Sequence, residues 1–189
     1  MTQPNALELD ELTLRRAQRG EEAACRRLVE RHERAVFALL GRLLGPRGRR
    51  ERVEDLAQET FLRVFRALAN FDAAGPARLS TWILTIATRV GLDELARHER
   101  VVVPLDGARE VASHARADSE AERRQVGRAL ERAVEELAPP FRAVFLLREI
   151  HELDYDEIAR ALEIDPGTVK SRLSRARAAL RDALEDVKP

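Results

Sequence analysis

Apolar residues recur at three- and four-residue intervals along most of the chain, the period of an amphipathic α-helix. A short helix is expected from Asp10 to Arg19, stopped by Gly20. A long one follows from Glu21 to Leu44, with Ala24, Leu28, Val36, Leu39, Leu40 and Leu43 on its apolar stripe, and Gly45-Pro46 ends it. A third covers Glu51 to Ala69, with Val53, Leu56, Phe61, Val64, Phe65 and Leu68 facing inward. Asn70 to Leu79 contains Gly75-Pro76 and reads as a loop. Ser80 is the expected N-cap of a fourth helix reaching Arg100, with Trp82, Ile83, Ile86, Val90 and Leu95 inward. Four such helices make one bundle.

The period lapses from Val101 to Ala117, around Pro104 and Gly107, so residues 101–117 read as a flexible linker; Val101-Val102-Val103 is too short to argue for a strand. It resumes after Asp118. Val126, Leu130, Val134 and Leu137 mark one helix, and Pro139-Pro140 separates it from another at Phe141–Ile150. Asp154 and Glu157 stand at capping-box spacing, with Leu153 placed to staple, before a helix Tyr155–Leu162. The turn Glu163–Asp165 then leads to Pro166 at the first position of a last helix. The expected fold is all-α: a four-helix domain over residues 1–100, the linker, and a second domain over 118–189 that contains a helix-turn-helix.

Composition narrows the function. The 189 residues are 35% charged and 44% hydrophobic, so the chain is expected to fold as a globular protein. Its longest apolar run, Ala35–Leu40, is far too short to span a bilayer, and Met1–Asp10 lacks a secretory pattern; a cytoplasmic protein without membrane insertion is the expectation. The single cysteine, Cys25, excludes an intrachain disulfide and a Cys-rich zinc site, and its place in an apolar stripe suits a small core residue. His32, His98, His114 and His151 lack an acidic residue three positions earlier, and no HExxH or phosphate-binding glycine loop is present. No catalytic residue, metal or cofactor is therefore expected. His98 and His151 read as surface residues. Trp82 is spaced with Ile86 for core packing rather than for stacking on a base.

The net charge is zero, but the charge is segregated. Residues 166–181 hold Lys170, Arg172, Arg175, Arg177 and Arg181 with no acid, whereas 118–165 carry 7 arginines against 13 acids. On a helical wheel Val169, Leu173, Ala176 and Leu180 face the core, and Ser171, Ser174, Arg175 and Ala178 point the opposite way. Lys170, Arg177 and Arg181 flank one edge and Arg172 the other. A central Arg with small polar neighbours suits base edges in a major groove, and the flanking cations suit phosphates. In the amino-terminal half, Asp55, Gln58 and Glu59 share a helix face away from Leu56 and Phe61. This pattern fits either a basic protein partner or a solvated face.

Taken together these blocks resemble the extracytoplasmic-function sigma factors of the bacterial sigma-70 family. EDLAQETFLRVFRALANF from Glu54 resembles region 2.2, STWILTIATRVGLDEL from Ser80 the promoter-opening region, and Leu137 to Leu180, with GTVKSRLSRARAAL from Gly167, region 4. The resemblance covers nearly the whole chain in family order. It implies that Asp55, Gln58 and Glu59 bind core RNA polymerase. It implies that the loop Asn70–Leu79 and the next helix, through Arg78, Ser80 and Arg89, hold a flipped base and single strand of the promoter −10 element in a positively lined pocket. It implies that Lys170, Ser171, Arg172, Ser174, Arg175 and Arg177 meet promoter DNA at −35, and that an anti-sigma factor regulates the chain. Arg89 stands where family members often carry Asn, an exchange that favours phosphate contact over base choice. Two other readings compete: a stand-alone helix-turn-helix transcription regulator, and a sigma-like interaction protein without promoter activity. A regulator's sensor half is expected to show strand–helix alternation, which this chain lacks.

Overall fold

The computed structural model describes residues 8–101 and 119–185, and all regular structure among them is helical. The elements are α1 (Glu11–Gln18), α2 (Glu22–Leu44), a 3-10 turn (Gly45–Arg47), α3 (Arg50–Leu68), α4 (Leu79–Val101), α5 (Ser119–Glu136), α6 (Pro139–Glu149), α7 (Tyr155–Leu162) and α8 (Pro166–Glu185). The expected linker lies, beyond the helical Val101, outside the described residues.

The amino-terminal bundle is built on α2. Leu28, Val36, Leu39, Leu40 and Leu43 repeat along one stripe and are fully buried. α1, α3 and α4 pack on it. Gly91 sets the closest approach of α4: a Cβ there would lie 2.7 Å from Leu43 Cδ2 and 3.2 Å from Leu40 Cδ2. Asp10 caps α1, its carboxylate accepting from the Thr13 backbone N–H at 2.9 Å. The second domain closes around Val144, Leu146 and Leu147 of α6, Ile158 of α7, and Val169, Leu173, Ala176 and Leu180 of α8.

Several expectations need correction. Ser80 is not an N-cap; it lies within the first turn of α4, buried, with its hydroxyl and backbone N–H donating to Glu8. Phe65 and Leu130 are exposed rather than inward, and Val126 is 47% exposed. The core face of α5 is rotated toward Ala129, Ala133, Val134 and Leu137, because small residues let α5 sit close to α8. Pro139-Pro140 form the first turn of α6, where proline's missing N–H costs nothing. His151 is half-buried rather than fully on the surface, and its Nε2 is enclosed without a partner, as is that of the buried His32 on the α2 stripe. Trp82 is half-buried, its ring 4.9 Å from that of Phe71. Cys25 is half-buried against the core, and desolvation pushes its thiol pKa up.

Desolvation lowers the pKa of His32 and of His151 to about 4. An unfolded imidazole titrates at about 6.5. Between those values the unfolded chain takes up protons that the folded one refuses, so stability is full above the window and falls as pH drops through it. From about pH 7.5 to about pH 5, each ring is expected to cost roughly 2 kcal/mol of unfolding free energy. Replacing His32 by Leu is expected to remove its share of that loss. Urea unfolding at the two pH values checks this; an unchanged pH dependence contradicts it.

Candidate nucleic-acid and partner-binding faces

The helix-turn-helix is α7, a three-residue turn and α8. Asp154 caps α7 by accepting from the Glu157 N–H at 2.7 Å, and Glu157 returns the bond to the Asp154 N–H at 2.8 Å, completing the box that the spacing predicted. Glu163 ends α7 in the left-handed region, φ 54°. Asp165 then starts α8 by accepting from Gly167 N–H at 2.7 Å, with Pro166 in the first turn. These local bonds fix the angle at which α8 leaves the domain.

With Val169, Leu173, Ala176 and Leu180 buried, α8 turns Lys170, Ser171, Ser174 and Arg175 to the outside, and Arg172 sits half-buried at the edge. Ser171 Oγ donates to the Thr168 carbonyl at 3.0 Å, which leaves its lone pairs outward. Arg177 is tethered: its guanidinium pairs with Glu149 of α6 at 2.6 Å, and that hydrogen bond raises its pKa. A shallow hollow lined by Tyr155, Lys170, Ser174, Arg177 and Arg181 runs along this edge. Arg148 stacks over the Tyr155 ring, 5.5 Å from its centroid. The result is a convex basic helix face with a cationic rim, the shape and charge that a major groove accepts.

α3 carries a different face. Asp55 and Gln58 are exposed and Glu59 is half-buried. Leu62, 56% exposed, and Phe65, 36% exposed, continue the same stripe at helical spacing. Sequence reasoning missed both, because apolar residues on an amphipathic helix are assigned to the core by default. The carboxylates are braced by arginines that reach α4. Arg52 is 3.6 Å from Asp55 and holds Glu94, which is only 4% exposed, in two hydrogen bonds that push the Glu94 carboxyl pKa down. Arg63 is 2.6 Å from Glu59 and 3.8 Å from Asp93. A half-neutralised acidic stripe ending in exposed Leu and Phe fits a protein surface better than a polyanion.

The loop between α3 and α4 is held at both ends. Gln18 Nε2 donates to the carbonyls of Leu68 and Phe71, and the Phe71 ring leans on Trp82. Asp72 folds the middle by accepting from the Ala74 N–H. The hollow between this loop and α1 is lined by Glu8, Glu11 and Asp72 as well as Arg15 and Arg78, so it is not the positively lined pocket that was expected. Arg78 is exposed there, whereas Ser80 is turned into Glu8. Arg89 is eleven residues away along α4 and points to α7 instead: its guanidinium donates to the Ala161 carbonyl at 3.0 Å and pairs with Glu163 at 2.9 Å. The three are therefore not brought together on one site.

Residues 28–101 match the family described as Sigma-70 region 2, and residues 127–180 match Sigma-70, region 4. The RNA polymerase sigma-H factor of Pseudomonas aeruginosa is 30% identical over 188 residues, covering 94% of this chain and 95% of that one. The chain belongs to the extracytoplasmic-function sigma factors of the sigma-70 family. The ECF RNA polymerase sigma factor SigE of Mycolicibacterium smegmatis is 36% identical over 160 residues; the match takes in 83% of this chain but 60% of that longer relative. Among solved structures, CnrH in complex with the cytosolic domain of CnrY superposes with a TM-score of 0.65 at 25% identity, covering 94% of this sigma factor and 97% of CnrH. In this sigma factor the region 2 match ends where α4 ends, and the region 4 match begins inside α5 and closes with the buried part of α8. No described helix is long and apolar enough to cross a membrane.

Asp154→Ala removes the cap that orients the sigma factor's helix-turn-helix and is expected to cost roughly 0.5–2 kcal/mol. Thermal unfolding followed by circular dichroism measures it, and an unchanged midpoint would show the cap to be redundant.

Proposed function

We propose that this sigma factor is a non-catalytic specificity subunit that acts in the cytoplasm. Residues 1–100 dock on core RNA polymerase and engage the −10 element, residues 118–189 engage −35, and 101–117 join them. The observation that carries the reading is that one chain pairs an exposed, acid-free basic helix face on α8 with a mixed acidic and apolar stripe on α3, in family order. The first face suits promoter DNA, the second a polymerase surface. Neither face needs a metal or cofactor, and the bond-making chemistry belongs to the polymerase.

In this mechanism Arg175, Ser171 and Ser174 read base edges at −35 while Lys170, Arg172 and Arg177 meet phosphates. Asp55, Gln58 and Glu59, extended by Leu62 and Phe65, form the polymerase contact. Arg78 and Arg89 are the −10 contacts, and Ser80 joins them only when Glu8 moves aside. Holding the two DNA-binding domains on one polymerase raises the effective concentration of each at its element. An anti-sigma factor is the expected regulator; the similar CnrH is found with a protein bound, the cytosolic domain of CnrY.

Run-off transcription with purified core polymerase and a pooled promoter library, at fixed salt, tests the reading. Transcripts sharing two motifs at constant spacing are expected. Failure to form a complex with core polymerase would overturn it in favour of a stand-alone helix-turn-helix regulator. On the recovered promoter, Arg175→Ala is expected to lose roughly 1–3 kcal/mol of discrimination at one −35 base pair. Lys170→Ala is expected to weaken all sequences alike and to lower the salt slope by about one. Competition binding over a salt series separates the two. Asp55→Ala with Glu59→Ala is expected to weaken core binding with helicity intact; a loss of helicity would make the patch structural.

A further inference from the structure

Among the described residues Glu94 is the one acidic side chain that is buried. It stands on α4, where α4 packs on α3, and its side chain is 4% exposed. A carboxylate taken out of water is costly unless cations and hydrogen bonds meet it. Two arginines meet this one. Arg52 of α3 binds it twice, Nε donating to Oε1 at 2.8 Å and Nη2 to Oε2 at 2.5 Å. Arg97, one turn further along α4, donates to Oε2 at 2.8 Å, and His98 Nε2 lies 3.4 Å from Oε1. The hydrogen bonds from Arg52 hold the Glu94 carboxyl below the usual carboxylate range, so it is charged at neutral pH.

The geometry of Arg52 gives this pair a consequence at the surface. A guanidinium is planar and offers its donors in fixed directions. Arg52 commits one edge, Nε and Nη2, to Glu94. Nη1 is left toward Asp55, and there the separation is 3.6 Å, longer than a hydrogen bond. Arg52 and Asp55 are three residues apart on one helix, a spacing at which opposite charges readily pair. Glu94 draws the cation the other way, from a site with less water, where the attraction is stronger.

The second arginine of the stripe makes the opposite choice. Arg63 donates to Glu59 at 2.6 Å and stands 3.8 Å from Asp93 of α4. Asp93 is exposed, so it competes for Arg63 in water and does not win it. The two carboxylates of the stripe are therefore unlike. Glu59 is engaged by its own arginine, whereas Asp55, 65% exposed at its side chain, has an arginine near it that is bonded elsewhere.

We propose that Glu94 is a positioning residue for the polymerase contact: by holding the fork of Arg52 it keeps Asp55 open to a cation of the partner. The proposal rests on the assignment of Asp55 to core polymerase under the proposed function. Glu94 acts from beneath the stripe, through Arg52. With Glu94 neutralised, Arg52 turns to Asp55, and the partner must displace an intrahelical ion pair before it docks. Exposed pairs of that kind correspond to a loss of roughly two- to five-fold in affinity.

The test measures binding of the full chain to immobilised core polymerase by surface plasmon resonance at fixed salt, with circular dichroism on every variant. Glu94→Gln is expected to weaken binding roughly two- to five-fold with helicity retained. Adding Arg52→Gln to it is expected to restore the affinity, since the competing cation is gone. In an Asp55→Asn background, Glu94→Gln is expected to cost nothing further, because its effect passes through Asp55. A crystal structure of the Glu94→Gln chain is expected to show Arg52 within hydrogen-bonding distance of Asp55. Should Glu94→Gln lose helicity, Glu94→Asp takes its place in each comparison: it keeps the charge but draws the carboxylate back from Arg52. A loss of affinity that persists with Arg52→Gln and with Asp55→Asn is a structural effect and overturns the proposal. So does an Arg52 that stays on residue 94 in the crystal, a result that needs no polymerase. An Arg52 that moves to Asp55, in a chain whose Asp55→Asn variant binds core polymerase as tightly as the parent, upholds the steering of Arg52 and overturns the assignment of Asp55 to the polymerase.

Discussion

The apolar stripe of α2 is the constraint on which the molecule depends. Leu28, Val36, Leu39, Leu40 and Leu43 bury one face over about four turns, and the other helices of the first domain are oriented by how they meet it. α4 lies close because Gly91 offers no Cβ to Leu40 and Leu43. α3 is turned so that Asp55, Gln58, Leu62 and Phe65 remain outside. The second domain meets the end of the same helix, where Arg142 fills the hydrogen-bonding vacancy of the last turn. The core helix of one domain thereby anchors the other.

Electrostatics explain how a chain with no net charge carries two unlike faces. Along α8 the cations have no acids in their own helix between residues 166 and 181, and the tethers come from outside, as Glu149 holds Arg177. Exposed pairs of this kind contribute little stability, and the helix keeps an outward positive field. On α3 the arrangement is reversed. Arg52 and Arg63 moderate the carboxylates and are themselves held by Glu94 and Asp93 of α4. Burying Glu94 is tolerable because Arg52 and Arg97 meet it directly; an unpaired carboxylate there would be costly.

Much of this was legible in the residues because helix formation is a local code. The α2 stripe, the Asp154–Glu157 box, the bounds of α7 and the buried face of α8 all follow from spacing within one or two turns. Errors arose where a residue's surroundings come from elsewhere. Ser80 has the chemistry of a cap, but Glu8, distant in sequence, claims its hydroxyl. Phe65 and Leu130 fit a core period, yet among the described residues no helix covers them. His151 follows a helix end, a place usually open to water, and is half-buried with its Nε2 enclosed.

By itself, the sequence determined the helices, the capping box of α7, their division into two groups and the segregation of charge, since each depends on contacts within a few residues. Tertiary structure alone decided which exposed faces remain open. Arg89 and Thr81 read as free polar groups on a solvent-facing helix until α7 is laid across them, and Arg142 reads as one more surface arginine. Its role depends on carbonyls at the ends of two helices, one of them 99 residues away, and no local pattern encodes that meeting.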